Sequence, residues 1–343
     1  MAGKMQYGLA LRGQFGKDED ISRCLEELLE QARLAETLGW DSITKTSHYS
    51  TWPRQSFQLF PILARLTAET SRVRINAGVV LLSLHKPLDI AEQLATIDIM
   101  SGGRLIFGAA LGYRDVEFKA FGTNQKERVQ RFEENLTAIK RLWTEDEVDM
   151  VGSHFELTNA ACCPHPLQNP HPPIWIGANA DAALMRAARM GDCWYINPHN
   201  RISTIIRQIE IYKRALDECD KPFPDELPMR REMFVAETRD EAMRIAAPHI
   251  KAQYENYQSW GQQEQMPEGD DNFAMAFDDL AGDRFLIGSP DDVTEQIIKL
   301  NREVGANHLI FSVQWAGMSH TRILETMHML TERVFPQVEQ GLD

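Results

Sequence analysis

A strand, a helix and a second strand in direct succession are predicted by residues 73–111, VRINAGVVLLSLHKPLDIAEQLATIDIMSGGRLIFGAAL. The first strand covers 73–82, where β-branched and aliphatic residues dominate. Pro87 suits the first turn of a helix, which we place at about 87–100. The run 104–111 is again short and apolar and predicts the next strand. A strand, a helix and a strand in this order are typical of a parallel sheet.

The same alternation extends along the chain in both directions. Short apolar runs predict further strands at 5–12, 40–47, 173–177, 192–197, 229–236 and 308–313, with helical periodicity between them. Eight strand–helix pairs predict an α/β fold, a single (β/α)8 TIM barrel. An open doubly wound sheet is less favoured because it usually has fewer strands. The chain has 343 residues, more than the roughly 250 of a plain barrel. We therefore expect one domain, residues 1–343, that carries insertions.

Two segments interrupt the alternation. Polar residues and prolines fill 145–172, which we interpret as an insertion. The segment at about 259–283 is rich in glycine and acidic residues, and predicts either a mobile lid or a disordered surface loop. Directly after it, Ser289 followed by Pro290 predicts the start of an extra helix.

Composition restricts the class of protein. Hydrophobic residues make up 43% and charged residues 25%, an ordinary balance for a soluble protein with a large core. A formal net charge of −14 disfavours non-specific binding to nucleic acid or to an anionic membrane. The five cysteines form no Cys-x-x-Cys pair, and no signal peptide or membrane span is apparent. We expect a cytoplasmic protein.

The catalytic groups of a parallel barrel collect where the strands end. After the strand at 173–177 come Ala178, Asn179 and Ala180, and the free amides of a helix start there would make an anion site. Gly177 allows close approach of the backbone, and Asn179 can cap the helix. The alternative is a compact strand-to-helix turn without a ligand.

Each of the other candidate residues also has an interpretation in which it has no catalytic or binding role. Arg128 or Arg131 could reach a phosphate at the rim, or both could lie on a solvated helix face. His48 could exchange a proton near neutral pH, although histidines at strand ends often only form hydrogen bonds. Three histidines in the insertion lack carboxylates at ligand spacing, so we expect no metal site. The sequence also lacks a dinucleotide fingerprint, a P-loop and a serine-hydrolase elbow.

Several stretches together resemble the bacterial luciferase-like family of flavin-dependent oxidoreductases, from about residue 5 to residue 337. They are GWDSITKTSHY (39–49), INAGVVLLSLHKPLDIAEQLATIDIMSGGRLIFGAALGYRDVEFKAFG (75–122), KERVQRFEENL (126–136), PHPLQNPHPPIWIGANADAALMRAARMGDCW (164–194) and FLIGSPDDV (285–293). Each stretch alone is a weak motif, but their order and spacing are specific.

The resemblance implies a barrel that holds flavin mononucleotide (FMN) across its rim. By position, the phosphate would be held by Gly177, Ala178, Asn179 and Ala180 together with Arg128. Gly78 and Val79 would form a bulge against one face of the flavin, and Tyr113 would also contact the cofactor. His48 matches a histidine that supports the reactive flavin intermediate, while Trp52 and Trp315 would form the substrate pocket, with Trp194 in the pocket or in the core.

The chain departs from the family pattern at three positions. Ser47 stands where relatives usually have an acidic residue, and Ala178 stands where they often have a second glycine. Leu111 replaces an arginine that luciferase carries beside the flavin, so light emission from an aldehyde is not implied.

The leading hypothesis is a two-component monooxygenase. A separate flavin reductase would supply reduced FMN, because the chain has no nicotinamide fingerprint, and dioxygen would then oxidise a small organic substrate. Two alternatives stay open: hydride transfer with a deazaflavin coenzyme, and a non-catalytic flavin-binding subunit. The resemblance also implies a homodimer that contacts through its second and third helices.

Overall fold

The computed structural model describes residues 4–342, and its strands follow the predicted alternation. They are β1 (Gln6–Ala10), β2 (Ser42–Lys45), β3 (Arg74–Leu81), β4 (Leu105–Ala110), β5 (Val148–Val151), β6 (Glu156–Ala160), β7 (Ile174–Ala178), β8 (Cys193–Ile196), β9 (Pro228–Val235), β10 (Leu286–Gly288) and β11 (His308–Ser312). The eight predicted strands correspond to β1 to β4, β7 to β9 and β11, and their ends agree within two residues.

These eight strands close into a parallel barrel. Their order around it is β1, β2, β3, β4, β7, β8, β9, β11, and β11 pairs with β1 to complete the ring. The closing contact between β8 and β9 pairs Ile196 with Met229. The short strand β10 extends the sheet outside the barrel by pairing with the end of β9. The predicted (β/α)8 barrel is confirmed.

Helices surround the barrel and shield its outer face. They are α1 (Ile21–Thr37), α2 (Leu59–Glu69), α3 (Pro87–Ser101), α4 (Asp115–Ala120), α5 (Arg128–Thr144), α6 (Asp181–Met190), α7 (Ile202–Asp217), α8 (Arg239–Ser259), α9 (Phe277–Ala281), α10 (Pro290–Val304), α11 (His320–Met329) and α12 (Phe335–Leu342). The extra helix predicted after Ser289 is α10, and Ser289 forms a capping box with Asp292. Within the described part of the chain, no helix has the length and apolarity needed to cross a bilayer.

The insertion at 145–172 contains an antiparallel hairpin, β5 and β6, that was not predicted. Only Val148 of β5 and Leu157 of β6 are buried, so neither strand has the apolar alternation from which a strand is predicted. Asp98 anchors the far end of the insertion because its carboxylate accepts hydrogen bonds from the amides of Leu167 (2.8 Å) and Gln168 (3.0 Å).

The segment 259–283 is folded and packed against the barrel, which argues against a disordered surface loop, while its motion as a lid stays a prediction. It contains a 3-10 turn at Gln262–Gln265 and the short helix α9. Phe273 is buried against Tyr254, with ring centroids 5.1 Å apart. The buried carboxylate of Asp270 accepts hydrogen bonds from Arg201 N–H and from the Thr204 hydroxyl.

A buried polar network ties the amino-terminal base of the barrel together. His308 contacts two side chains. Its Nδ1 lies 2.6 Å from Glu226 Oε1, and its Nε2 lies 2.7 Å from the hydroxyl oxygen of Ser42. Glu226 also pairs with Arg74 at 2.6 Å. A Cβ at Gly8 would lie 2.3 Å from Ser42 Oγ, so glycine is needed where β1 passes this network.

Candidate active site

A cavity of about 290 Å³ opens at the carboxyl ends of the barrel strands. All eight barrel strands, or the loops that follow them, contribute to its lining, and Gln253, Tyr257, Gln262 and Gln265 close it from the side of α8 and segment 259–283. This is the end of a parallel barrel at which catalytic groups collect.

Most of the predicted site residues line this one cavity. They are His48, Gly78, Val79, Tyr113, Arg128, Gly177, Ala178, Asn179, Ala180 and Trp315. Trp52 does not line the cavity, because the turn that begins at Thr51 carries it outward and leaves it 77% exposed. Trp194 is a core residue, and its indole N–H donates to the carbonyl of Ala178 at 3.0 Å.

One wall of the cavity is formed by residues 177–180, at the start of α6, and by Arg128. It is suited to an anion, and we call it the anion wall. Helix α6 begins after Ala180 without a side-chain cap, so its first amides remain available to a ligand. Asn179 was expected to cap this helix, but its amide group approaches Met266 instead. The Arg128 guanidinium faces the same wall and donates to Gly112 O at 3.2 Å and to Gln265 Oε1 at 3.0 Å.

Arg131 has a different role from Arg128. Its side chain is buried, and its Nε donates to the carbonyl of Ser83 at 2.7 Å. It therefore fixes the loop after β3 to α5 and does not line the cavity. Of the two candidate arginines, the structure brings only Arg128 to the anion wall.

Strand β3 bulges where it borders the cavity. Its pairing register with β4 shifts between Ala77 and Val80, and the Gly78–Val79 peptide bond is cis. A Cβ at Gly78 would lie 2.6 Å from Thr44 Cγ2 and 2.7 Å from Asn76 Nδ2, so a larger residue would collide with the barrel interior. The bulge places Val79 on the cavity surface.

A buried carboxylate holds His48 in place. Glu117 Oε1, which is inaccessible to solvent, accepts hydrogen bonds from His48 Nδ1 (3.2 Å), Tyr49 N–H (2.9 Å) and Arg114 Nη1 (3.2 Å). Burial alone would raise the pKa of Glu117, but the hydrogen bond and charge of His48, with Tyr49 N–H and Arg114, outweigh it and lower the pKa. Glu117 is therefore ionised, and Nδ1 of His48 carries the proton that it donates.

Trp260 packs against this cluster beside the cavity. The Arg114 guanidinium stacks on its ring at 3.9 Å, and the ring of His48 meets it edge to face with centroids 5.1 Å apart. Trp260 belongs to segment 259–283, and so does Gln265, which contacts Arg128. The segment thus touches the cavity at the histidine and at the anion wall.

The floor of the cavity contains polar residues that the loop-based predictions did not include. Arg230 and Glu232 project inward from β9, and Tyr195 projects from β8. His199, in the loop after β8, also lines the cavity, and burial lowers its pKa well below the usual value, so the ring is neutral. Three consecutive charged residues, Arg230, Arg231 and Glu232, inside an otherwise apolar strand were the available signal.

A model of the luciferase-like monooxygenase family matches residues 5–308. An FMNH2-dependent dimethylsulfone monooxygenase from Pseudomonas putida is 29% identical and aligns over 94% of this chain and 89% of its own length. An F420-dependent glucose-6-phosphate dehydrogenase from Amycolatopsis mediterranei is 28% identical, over 83% of this chain and 87% of its own length. The crystal structure of monooxygenase RslO1 from Streptomyces bottropensis superposes with a TM-score of 0.86 at 26% identity and covers 97% of this chain and 99% of its own.

We expect Glu117→Ala to lower the free energy of unfolding by about 3–5 kcal/mol, because it leaves the Arg114 guanidinium buried without a counter-charge. Glu117→Gln keeps an acceptor and should cost less. Glu147→Ala, at an exposed position directly before β5, serves as the control and should change stability little. Urea denaturation measures all three, and equal stability of the Glu117→Ala and Glu147→Ala proteins would contradict the role assigned to this carboxylate.

Proposed function

The chain belongs to the luciferase-like monooxygenase family, and from this premise we propose that it uses reduced FMN and dioxygen to oxidise a small organic molecule. Because it belongs to this family, the chain is an oxidoreductase, which is the enzyme class that the sequence analysis predicted. The observation that carries the proposal is a single cavity with an anion wall at Arg128 and a carboxylate-held histidine at His48. A separate reductase would supply the reduced flavin, as the name FMNH2-dependent implies for the Pseudomonas putida relative.

The cavity residues fit FMN. Tyr113 Oη, Tyr195 Oη and Glu232 Oε1 are buried and have no hydrogen-bond partner among residues 4–342, so they are open to the polar edge of a ligand. Arg128 and the amides at Gly177–Ala180 would hold the phosphate, and Val79 would contact the ring system. When bound, reduced FMN would supply the electrons that activate dioxygen.

His48 would handle a proton on the cavity side. Because Nδ1 donates to the ionised Glu117, Nε2 is the atom free to accept or donate a proton. Arg114 and Tyr49 keep Glu117 in place and so preserve this orientation. Trp260 and Tyr113 flank the imidazole and keep bulk water from it.

A second candidate function is hydride transfer with a deazaflavin coenzyme. It is favoured by the similarity to the F420-dependent dehydrogenase over most of the chain. A histidine beside an ionised carboxylate would also suit the proton transfer that accompanies oxidation of an alcohol. Both functions use the same cavity and differ in cofactor and in the need for dioxygen.

Anaerobic titration decides between the two cofactors. We expect the purified chain to bind reduced FMN more tightly than reduced F420, and the complex with FMN to consume dioxygen when air is admitted. Fluorescence titration and an oxygen electrode provide the measurements. Tighter binding of F420 without oxygen consumption would support the second candidate, and binding of neither cofactor in either redox state would refute both.

We expect Arg128→Met to weaken binding of FMN by about 10- to 100-fold, since one charge-assisted contact to the phosphate is lost. Binding of riboflavin, which has no phosphate, should change little. Arg141→Met, at the other end of α5, is the matched control. An equal loss for FMN and riboflavin would show that Arg128 acts through the packing of segment 259–283 and does not contact phosphate.

We expect His48→Ala to lower turnover of a substrate by about 100-fold or more, the usual contribution of a positioned acid or base. Affinity for reduced FMN should be retained, because His48 lies away from the anion wall. Product formation and hydrogen peroxide release are to be measured together. Unchanged turnover would remove His48 from the mechanism.

A further inference from the structure

The cavity has a second side, opposite the anion wall, at the loops after β1 and β11. In the order of strands around the barrel, β11 and β1 lie four places from β4 and β7, the strands that lead to the anion wall. The two loops contribute to the cavity lining the residues Leu11, Gln14, Gln314, Trp315 and Ala316, which we call the far wall. None of these five is assigned to FMN under the proposed function. The far wall is therefore the part of the cavity that is left for another molecule.

The charged side chains that line the cavity are either balanced or already assigned. Within residues 4–342 they are Arg12, Arg128, Arg230 and Glu232. Arg12 forms an ion pair with Glu19, and Arg128 belongs to the anion wall. Arg230 and Glu232 have opposite charges and lie two residues apart on β9, where they compensate each other. A molecule at the far wall consequently meets no charge that lacks a partner.

The pKa shifts of these groups agree with this charge balance. Burial alone would raise the pKa of Glu19, but the hydrogen bond from Arg12 outweighs it and lowers the pKa, so this carboxylate is ionised. Burial alone would lower the pKa of Arg230, but the neighbouring Tyr257 and Glu232 outweigh it and raise the pKa. Both guanidinium groups therefore keep their charge and have an acidic partner.

Gln14 supplies the free hydrogen-bond donor of the far wall. The residue is 8% exposed, and its Oε1 accepts a hydrogen bond from Asn256 Nδ2 at 3.0 Å. Its Nε2 makes no hydrogen bond with a residue of 4–342. Gln314, in contrast, donates from Nε2 to the carbonyl of Ala10 at 3.3 Å. A nearly buried N–H donor such as Gln14 Nε2 favours a ligand that brings an acceptor.

The rest of the far wall is apolar. Trp315 is 3% exposed, and its Nε1 donates to Glu232 Oε2 at 2.7 Å, so the single donor of its ring is already used. Leu11 adds an aliphatic side chain beside it in the cavity lining. An apolar ligand body can pack on this ring and this side chain without leaving a polar group unpaired.

We propose that the organic substrate is an uncharged molecule that carries a hydrogen-bond-accepting oxygen on a compact apolar body. Gln14 Nε2 donates to this oxygen, and the body packs on Trp315 and Leu11. A carboxylate or an ammonium group would lose its hydration at a wall that offers no counter-charge. The inference rests on the proposed function, because it names the substrate class for the part of the same cavity that the cofactor leaves free.

Three probes of nearly the same shape test the far wall: acetophenone, benzoate and α-methylstyrene. On one phenyl ring they carry a ketone, a carboxylate and an alkene. Each is titrated by calorimetry into the full chain with saturating reduced FMN and without dioxygen. We expect acetophenone to bind about 3- to 10-fold more tightly than α-methylstyrene, and about tenfold or more tightly than benzoate. Benzoate that binds as tightly as acetophenone, equal affinity for acetophenone and α-methylstyrene, or no binding of any probe would overturn the proposal.

Variants of Gln14 and Glu19 test the donor and the charge balance. Gln14→Met keeps the length of the side chain without its donor, and should bring acetophenone to the affinity of α-methylstyrene. Glu19→Gln leaves Arg12 without its counter-charge, and should raise the affinity for benzoate by about threefold or more with no equal gain for acetophenone. Gln337→Met, at an exposed position of α12, is the control and should leave all three affinities unchanged.

Thermal melts and circular dichroism identify any variant that does not fold, and the three probes on the unchanged chain decide the proposal in that case. A folded Gln14→Met protein that keeps the preference for acetophenone would overturn the assignment of the donor. A folded Glu19→Gln protein in which benzoate gains nothing would overturn the charge balance.

Titration of the probes without flavin, and of the two cofactors without probes, separates this inference from the proposed function. Normal binding of reduced FMN together with tight binding of benzoate would overturn the substrate class alone. A preference for acetophenone in a chain that binds neither FMN nor F420 would uphold the far wall and refute the flavin function.

Discussion

The carboxylate of Glu117 is the constraint on which the arrangement of the cavity depends. It lies on α4, the helix that follows β4, without solvent contact, and it accepts hydrogen bonds from His48 and Tyr49 in the loop after β2 and from Arg114 directly before α4. The pair it forms with Arg114 extends the connection to Trp260, at the start of segment 259–283. One buried charge therefore fixes the orientation of His48 and also supports the aromatic ring that covers it.

The cavity divides into regions of different chemistry around this point. Backbone amides and Arg128 form a wall suited to phosphate, the bulge of β3 presents an apolar surface, and the floor carries Arg230 and Glu232. Each region comes from different strands or loops of the barrel. Segment 259–283 contacts Arg128 through Gln265 and His48 through Trp260.

The sequence predicted the barrel and much of the rim, because apolar strands, helix starts and strand-end loops follow local rules. It did not predict the hairpin β5–β6, whose short strands bury only one residue each. Arg230 and Glu232 were missed because the direction in which a strand residue points depends on barrel closure. Glu117 was missed because its contact with His48 spans 69 positions in sequence. Trp52 was expected in the substrate pocket, whereas the turn that begins at Thr51 carries it outward.

The polar network at the opposite end of the barrel shows how side-chain geometry can mislead. Ser42, His308 and Glu226 have the order and spacing of a hydrolase triad, at 2.7 and 2.6 Å. Ser42 and His308 have no exposed surface, however, and β1 passes so close that even a methyl group would collide with the hydroxyl. An acyl group would have no room to form there. The geometry of the three residues alone would suggest an esterase. Their hydrogen bonds instead join β2, β11 and the segment before β9.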